Sequence, residues 1–340
     1  MLPIFTLLFF IPQLFALQVT DPYTRFSKLD LPPGPFGPDS VSLDPSNTGP
    51  YVGVSDGRIL KYNGKEFVDF AYLSPNWTKE LCEGVRNLSM GPICGRPLGF
   101  SFDSNTGNLY VVGAYGGFYR VSPGGGKANL IASGVNNVKF NYLNGIDVDS
   151  NKRVVYFTDT SLVYNFTDAL LSRPEIPGDS SGRLIKYDIE KKQLTVLLDK
   201  LPRPTGPAVS EDSTFLVYGS FTTQRIFKYH LIGPKKGATE VLIDNLPGFP
   251  VKIKRAPCGS FWVPVNVLVQ PQPRLVHPFG YKFNSFGGII LKKNFSTEYS
   301  EAQVNVVQEY NSLLGFSGKT LFVGSRIVSF VGKYRTSGLL

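Results

Sequence analysis

The chain has 340 residues, of which 42% are hydrophobic and 18% charged, so it can bury a sizeable core and does not read as disordered. The formal charge of +9 is spread in pairs such as Lys191-Lys192, Lys235-Lys236 and Lys292-Lys293, with no basic helix or aromatic-basic platform, which argues against nucleic acid as a partner. Three cysteines and two histidines exclude the usual zinc sites.

In chain order, residues 1–16 (MLPIFTLLFFIPQLFA) carry no side-chain charge, are too short to span a bilayer and end on a small residue. They read as a cleaved signal peptide, leaving 17–340 as a single domain. No other stretch is long and apolar enough to cross a membrane. Four N-x-[ST] sequons, at Asn76, Asn87, Asn165 and Asn294, agree with export and mark candidate glycosylation sites. Export also favours pairing Cys82 with Cys94, which lie close in one loop. Cys258 is left over and reads as a small buried residue beside a strand.

The body of the sequence contains a repeat. Six segments end in alternating apolar residues and a basic-aromatic pair: 57–64 (GRILKYNG), 116–123 (GGFYRVSP), 182–189 (GRLIKYDI), 224–231 (QRIFKYHL), 287–294 (GGIILKKN) and 327–335 (IVSFVGKYR). Hairpins precede most of them, as in 98–114, 144–160, 206–220 and 253–265, with turn residues such as Asn-Thr-Gly and Cys-Gly. Fourth strands follow at 193–201 and 239–246, and a short helix is expected near Trp77–Glu83. Three or four antiparallel strands repeated six times predict an all-β, six-bladed β-propeller. The apolar strand at Ser40–Leu43 is expected to complete the blade begun by the C-terminal segment.

Several short motifs carry simpler readings. Gly178-Asp-Ser-Ser-Gly182 is a turn before a strand, and Gly124-Gly-Gly-Lys127 a hairpin tip without the Ser/Thr and helix of a phosphate loop. His230 reads as a half-buried strand residue.

The segments PYVGVSDGRILKY, ICGRPLGF, VVYFTDTS, SGRLIKYD and KYHLIGPKKGATEVL resemble strictosidine synthase and its plant strictosidine-synthase-like relatives, from about Gly34 to Tyr334. The resemblance implies a six-bladed propeller, a disulfide at Cys82–Cys94, no cofactor, a small-molecule ligand and entry into the secretory pathway. It makes the vacuole the expected compartment, with the apoplast or endoplasmic reticulum lumen as alternatives. The family reaction joins tryptamine to secologanin in a Pictet–Spengler condensation, in which a glutamate removes the ring proton. That glutamate lies in a stretch reading Phe-Glu-Gln-Ile-Gln-Glu-His-Asp. The matching residues here are 304–311 (VNVVQEYN), so Asn305 stands at the base position, with Gln308 and Glu309 fixing the register. An amide does not accept a proton at neutral pH. Glu309 and Glu301 are the substitutes at hand if the condensation is retained. Tyr142 stands where the family has tryptophan, Leu98 replaces an aromatic, and Phe221 is kept. The candidate ligand pocket therefore comprises Tyr142, Asn144, Phe221, Lys252, His277 and Asn305, His277 being placed in a loop near the mouth.

Three readings are open: a relative that binds a small amphipathic ligand without the condensation, a condensing lyase using another base, and a calcium-dependent lactonase or esterase of the paraoxonase and gluconolactonase type. Asp39 and Asn144 match two ligand positions, but Thr205 and Val251-Lys252 replace the others, and calcium needs six to eight oxygens. Lys252 is then a candidate to stand in the space of the cation, next to a ligand near Asn144.

Overall fold

The computed structural model describes residues 21–171, 178–271, 274–311 and 318–337. The 1–16 leader reading lies outside them. The described chain forms six four-stranded antiparallel sheets, each a blade, arranged in a ring. The first blade runs outward from the axis as Ser40–Ser42, Tyr51–Gly53, Arg58–Tyr62 and Phe67–Tyr72. The second is Pro97–Phe102, Leu109–Gly113, Phe118–Val121 and Asn129–Ala132; the third is Leu143–Asp149, Val154–Asp159, Gly182–Asp188 and Gln193–Leu201. The fourth is Pro204–Val209, Phe215–Ser220, Arg225–His230 and Thr239–Ile243. In the fifth, an inner strand split into Phe249–Pro250 and Lys254–Arg255 precedes Phe261–Pro271, Arg274–Phe283 and Ile289–Asn294.

The sixth blade, Val304–Asn311, Lys319–Ser325 and Phe330–Arg335, is completed at its outer edge by Arg25–Asp30, in the register Arg25↔Arg335 to Asp30↔Phe330. This corrects the expectation for Ser40–Leu43. That segment is the innermost strand of the first blade, and the ring is closed by a strand fifteen residues earlier (25 against 40). The earlier strand has only one well-buried apolar residue, Leu29, which is why periodicity did not reveal it. Five of the six repeat segments form the third strand of their blade. In the fifth blade the third strand is Arg274–Phe283, ending Gly280-Tyr281-Lys282-Phe283, and segment 287–294 supplies the fourth. The Gly124–Lys127 tip extends beyond a simple turn, because Gly126–Lys127 pairs in parallel with Ala71–Tyr72 of the first blade.

A blade is apolar on both faces, so burial requires a neighbour on each side. Six hydrophobic clusters meet that requirement, one at each blade junction. Phe118 and Phe157 stack between the second and third blades, with centroids 4.8 Å apart. Trp262 of the fifth packs with Val304, Val307 and Leu321 of the sixth. Near the axis the inner strands converge so closely that a side chain is excluded: a Cβ on Gly145 would lie 2.0 Å from the Cα of Gly206.

A seventh cluster covers one end of the ring, where Leu98, Ala114, Tyr142 and Phe166 meet beneath the helix Phe166–Leu171. Asn165 Oδ1 accepts from Asp168 N–H while Asp168 Oδ2 accepts from Asn165 N–H, a reciprocal cap that starts this helix. Asn76, Asn87 and Asn294 are exposed, whereas Asn165 is half-buried in this cap. The expected short helix is Lys79–Cys82, and Cys82 is joined to Cys94 by a disulfide. Cys258 corrects the sequence reading: it is exposed, in a one-turn helix with φ of 64°. The turn ahead of the next strand, not burial, sets its environment.

The disulfide closes a small loop between the first two blades at this covered end. Replacing both cysteines with serine is expected to lower stability by about 2–3 kcal/mol through the freed unfolded chain. Urea denaturation followed by circular dichroism checks this.

Candidate functional site

At the covered end each inner strand is interrupted or begins beside the axis. The register shifts at Pro97/Gly99, Leu143/Ile146, Thr205/Ala208 and Val304/Val306. The inner strand of the fifth blade breaks over residues 251–253, and the first blade's starts just after Asp39. Such bulges re-aim side chains out of the alternating pattern. They place Asp39, Leu98, Asn144, Thr205, Lys252 and Asn305 at corresponding points of the six blades.

Two of these residues, Asp39 and Lys252, form a buried charge cluster with Arg96 and Arg326. Lys252 Nζ donates to Asp39 Oδ1 at 2.7 Å, and Arg326 Nε donates to Asp39 Oδ2 at 3.0 Å. Arg96 lies 3.7 Å from the same carboxylate. Asp39 is fully buried. Burial alone would raise its pKa, but the combined pull of Arg326, Lys252 and Arg96 outweighs it and holds the carboxyl far below the usual range. One carboxylate cannot satisfy three cations. Burial pulls Lys252 down to about 8 despite Asp39, and Arg326 adds repulsion. The Arg96 and Arg326 guanidinium groups lie over the Phe166 ring, at 5.2 and 5.1 Å.

Above this floor lies a cavity of about 270 Å³, lined by Tyr142, Asn144, Arg203, Phe221, Asn305 and Arg326 among others, with Glu301 and Gln303 also on its wall. A larger groove of about 740 Å³ runs beside the third blade. It is shallower and lies away from the axis, where ligand sites of ring folds converge. Four of the six sequence-derived pocket residues, Tyr142, Asn144, Phe221 and Asn305, line the axial cavity. Lys252 lies beneath it, held by Asp39. His277 sits on the exposed side of the strand Arg274–Phe283, paired with Val267, while its neighbour Val276 reaches the cavity. Strand alternation, and not a loop, sets its direction.

Asn305 Oδ1 accepts the backbone N–H of Arg326 at 2.8 Å, which fixes the carboxamide. Glu309 does not share its face. The bulge at Asn305 breaks the even spacing, and Glu309 is buried between the fifth and sixth blades. There it accepts from Trp262 Nε1 at 2.6 Å and Lys282 Nζ at 2.7 Å, with Lys319 Nζ 3.1 Å away. Glu301 is the carboxylate that lines the cavity, on its exposed rim.

The donor set does not fit calcium. Asp39, the only carboxylate at the floor among the described residues, faces an ammonium and two guanidinium groups, and those residues hold no cluster of three His, Cys, Asp or Glu. Sequence reasoning missed Arg203, which lies between Pro202 and Pro204 just before an inner strand. Its φ is 43°, a conformation disfavoured for a residue preceding proline. An arginine flanked by prolines at a blade start was the available signal.

The sequence profile described as Strictosidine synthase matches residues 144–234. Strictosidine synthase of Catharanthus roseus is 35% identical over 300 residues, covering 87% of this chain and 83% of that protein. Strictosidine synthase-like protein 11 of Arabidopsis thaliana is 34% identical, covering 91% of each chain. Strictosidine synthase-like protein 8 of the same plant is 41% identical over 232 residues, 68% of this chain and 60% of its own length. Among solved structures, a gluconolactonase from Xanthomonas campestris superposes with a TM-score of 0.61 at 15% identity, covering 92% of this chain and 89% of the other. A calcium-binding regucalcin from Agrobacterium tumefaciens gives 0.62 at 12%, covering 93% and 96%. At such identities the likeness is one of fold.

Proposed function

The chain belongs to the strictosidine synthase family, and within it we propose a ligand-binding propeller of the plant secretory pathway, placed in the vacuole, that does not carry out the amine–aldehyde condensation. The observation that carries this reading is Asn305. At the position matching the family's catalytic glutamate the cavity presents a carboxamide whose oxygen is already engaged by Arg326 N–H. Removing the ring proton needs a base of suitable pKa, and an amide offers none.

Electrostatics supports the same reading. An iminium intermediate is cationic, and Arg203 and Arg326 both line the cavity, with Lys252 and Arg96 close below. Fixed positive charge in a water-poor site raises the energy of such an intermediate. The disulfide and the exposed sequons suit an oxidising, glycosylating lumen.

Incubating the purified glycoprotein with tryptamine and secologanin is expected to yield no condensed product by mass spectrometry. Turnover at a rate typical of a synthase would overturn the proposal. One observation favours a second reading, a condensing lyase with another base: Glu301 lines the cavity. On that reading product forms and Glu301→Gln abolishes it; on ours both proteins are equally inert.

A further inference from the structure

We infer that the axial cavity binds a compact amphipathic carboxylate, whose anionic group pairs with the guanidinium of Arg203. The inference rests on the ligand-binding reading above and names its ligand class.

Arg203 is 5% exposed, yet among the described residues its side chain makes no hydrogen bond and no ion pair. Its Nε and Nη1 are buried without partners, and its guanidinium lies over the Phe221 ring, 4.9 Å from the centroid. A guanidinium is always charged, and burying it uncompensated is costly, so a partner is expected to be supplied from outside the chain. The backbone holds it there deliberately: Arg203 O accepts from Phe221 N–H, and Pro202 O accepts from Ser220 and Thr222, which fixes the turn in its left-handed conformation. Observed strain of this kind collects where ligands bind.

The rest of the wall agrees on charge and shape. The cations at the cavity and its floor are Arg203, Arg326, Lys252 and Arg96, against the carboxylates Asp39 and Glu301, so the site carries excess positive charge. Asp39 is already shared among three of those cations, and Glu301 sits on the exposed rim, which leaves Arg203 the one of the four with no ion pair at all among the described residues. Asn144 Oδ1 and Thr205 Oγ1 are also buried without partners and offer hydrogen bonds to a hydroxyl or N–H elsewhere on the ligand. Tyr142, Phe221, Val251, Val276 and Leu170 supply an apolar wall, and Phe249 stacks behind Phe221 at 4.7 Å. A volume of about 270 Å³ is at the small end for ligand sites, so one fused ring with a short acidic arm fills it.

Three probes with the same ring separate charge from shape: indole-3-acetate, indole-3-acetamide and tryptamine, titrated calorimetrically into the secreted full-length glycoprotein. The acetate is expected to bind at least about tenfold more tightly than the acetamide, and tryptamine more weakly than either. Arg203→Met is expected to weaken the acetate by about tenfold or more while leaving the acetamide unchanged, with Arg203→Lys in between. Equal affinity for acetate and acetamide, tighter binding of tryptamine, no binding of any probe, or unaltered acetate affinity in Arg203→Met would each overturn the inference. Should Arg203→Met not be secreted, the charge series on the unmodified protein decides alone. A protein that condenses tryptamine with secologanin yet prefers the acetate sinks the proposed function and spares the carboxylate site. One that is inert but indifferent to charge does the reverse.

Discussion

Asp39→Asn is expected to lower the unfolding free energy by about 3–5 kcal/mol, whereas Lys252→Met lowers it by less than about 1.5 kcal/mol or raises it. Both residues belong to one ion pair with a 2.7 Å contact, so counting lost contacts alone would predict similar costs. The charge balance separates them. Asp39 is the single anion among Lys252, Arg326 and Arg96, and removing it leaves three buried cations facing one another. Removing Lys252 instead takes away a cation that burial and Arg326 already disfavour, as its fall to about 8 records. Arg326 still holds Asp39 at 3.0 Å, and a methionine fills the same space. Chemical denaturation of the two variants at neutral pH measures the difference; equal losses would mean the cluster acts as a simple pair. The sign of the pH dependence follows from the lowered pKa of Asp39. Its contribution is complete above the unfolded carboxyl value near 4 and is lost as pH falls through the lower folded value, so it persists at mildly acidic pH.

Glu309→Gln is expected to cost about 3 kcal/mol and to leave ligand affinity in the axial cavity unchanged. Glu309 is 1% exposed and binds Trp262 Nε1 and Lys282 Nζ, with Lys319 at 3.1 Å. A glutamine amide can accept through one atom only, and its NH₂ would confront donors. Burial alone would raise the Glu309 pKa; bonds from Lys282 and Trp262 and the charges of Lys282 and Lys319 outweigh it and lower it. Its contribution is therefore also present above about pH 4.3 and lost in stronger acid. Thermal melts and a titration with indole-3-acetate test both halves. A change in affinity without a change in stability would return Glu309 to the site.

The ring and most of its strands were legible because hairpin turns and alternating apolar residues recur six times, and the resemblance supplied the same fold. The Arg25–Asp30 strand was not, since at the outer edge of a blade it buries little, and Ser40–Leu43 carried the stronger apolar signal. At the axis, Asn144, Phe221, Tyr142 and Asn305 were found by matching a family pattern. The partners that define the site's charge were not. Arg96, Arg203 and Arg326 come together from the second, fourth and sixth blades, and no local spacing encodes that meeting. Glu309 misled because even spacing implies a common face only in an unbroken strand, and one bulged residue at Asn305 cancels the rule.

The strand at Arg25–Asp30 also sets an order of events during biosynthesis. It is synthesised before every other described strand, whereas its partner Phe330–Arg335 is synthesised after all of them. Until that partner is made, five blades can assemble while the sixth waits and its neighbours expose apolar faces to solvent. A nascent chain cut short before Phe330 therefore loses far more than its missing residues, because among the described residues no other strand pairs with Arg25–Asp30 to join the two ends of the circle.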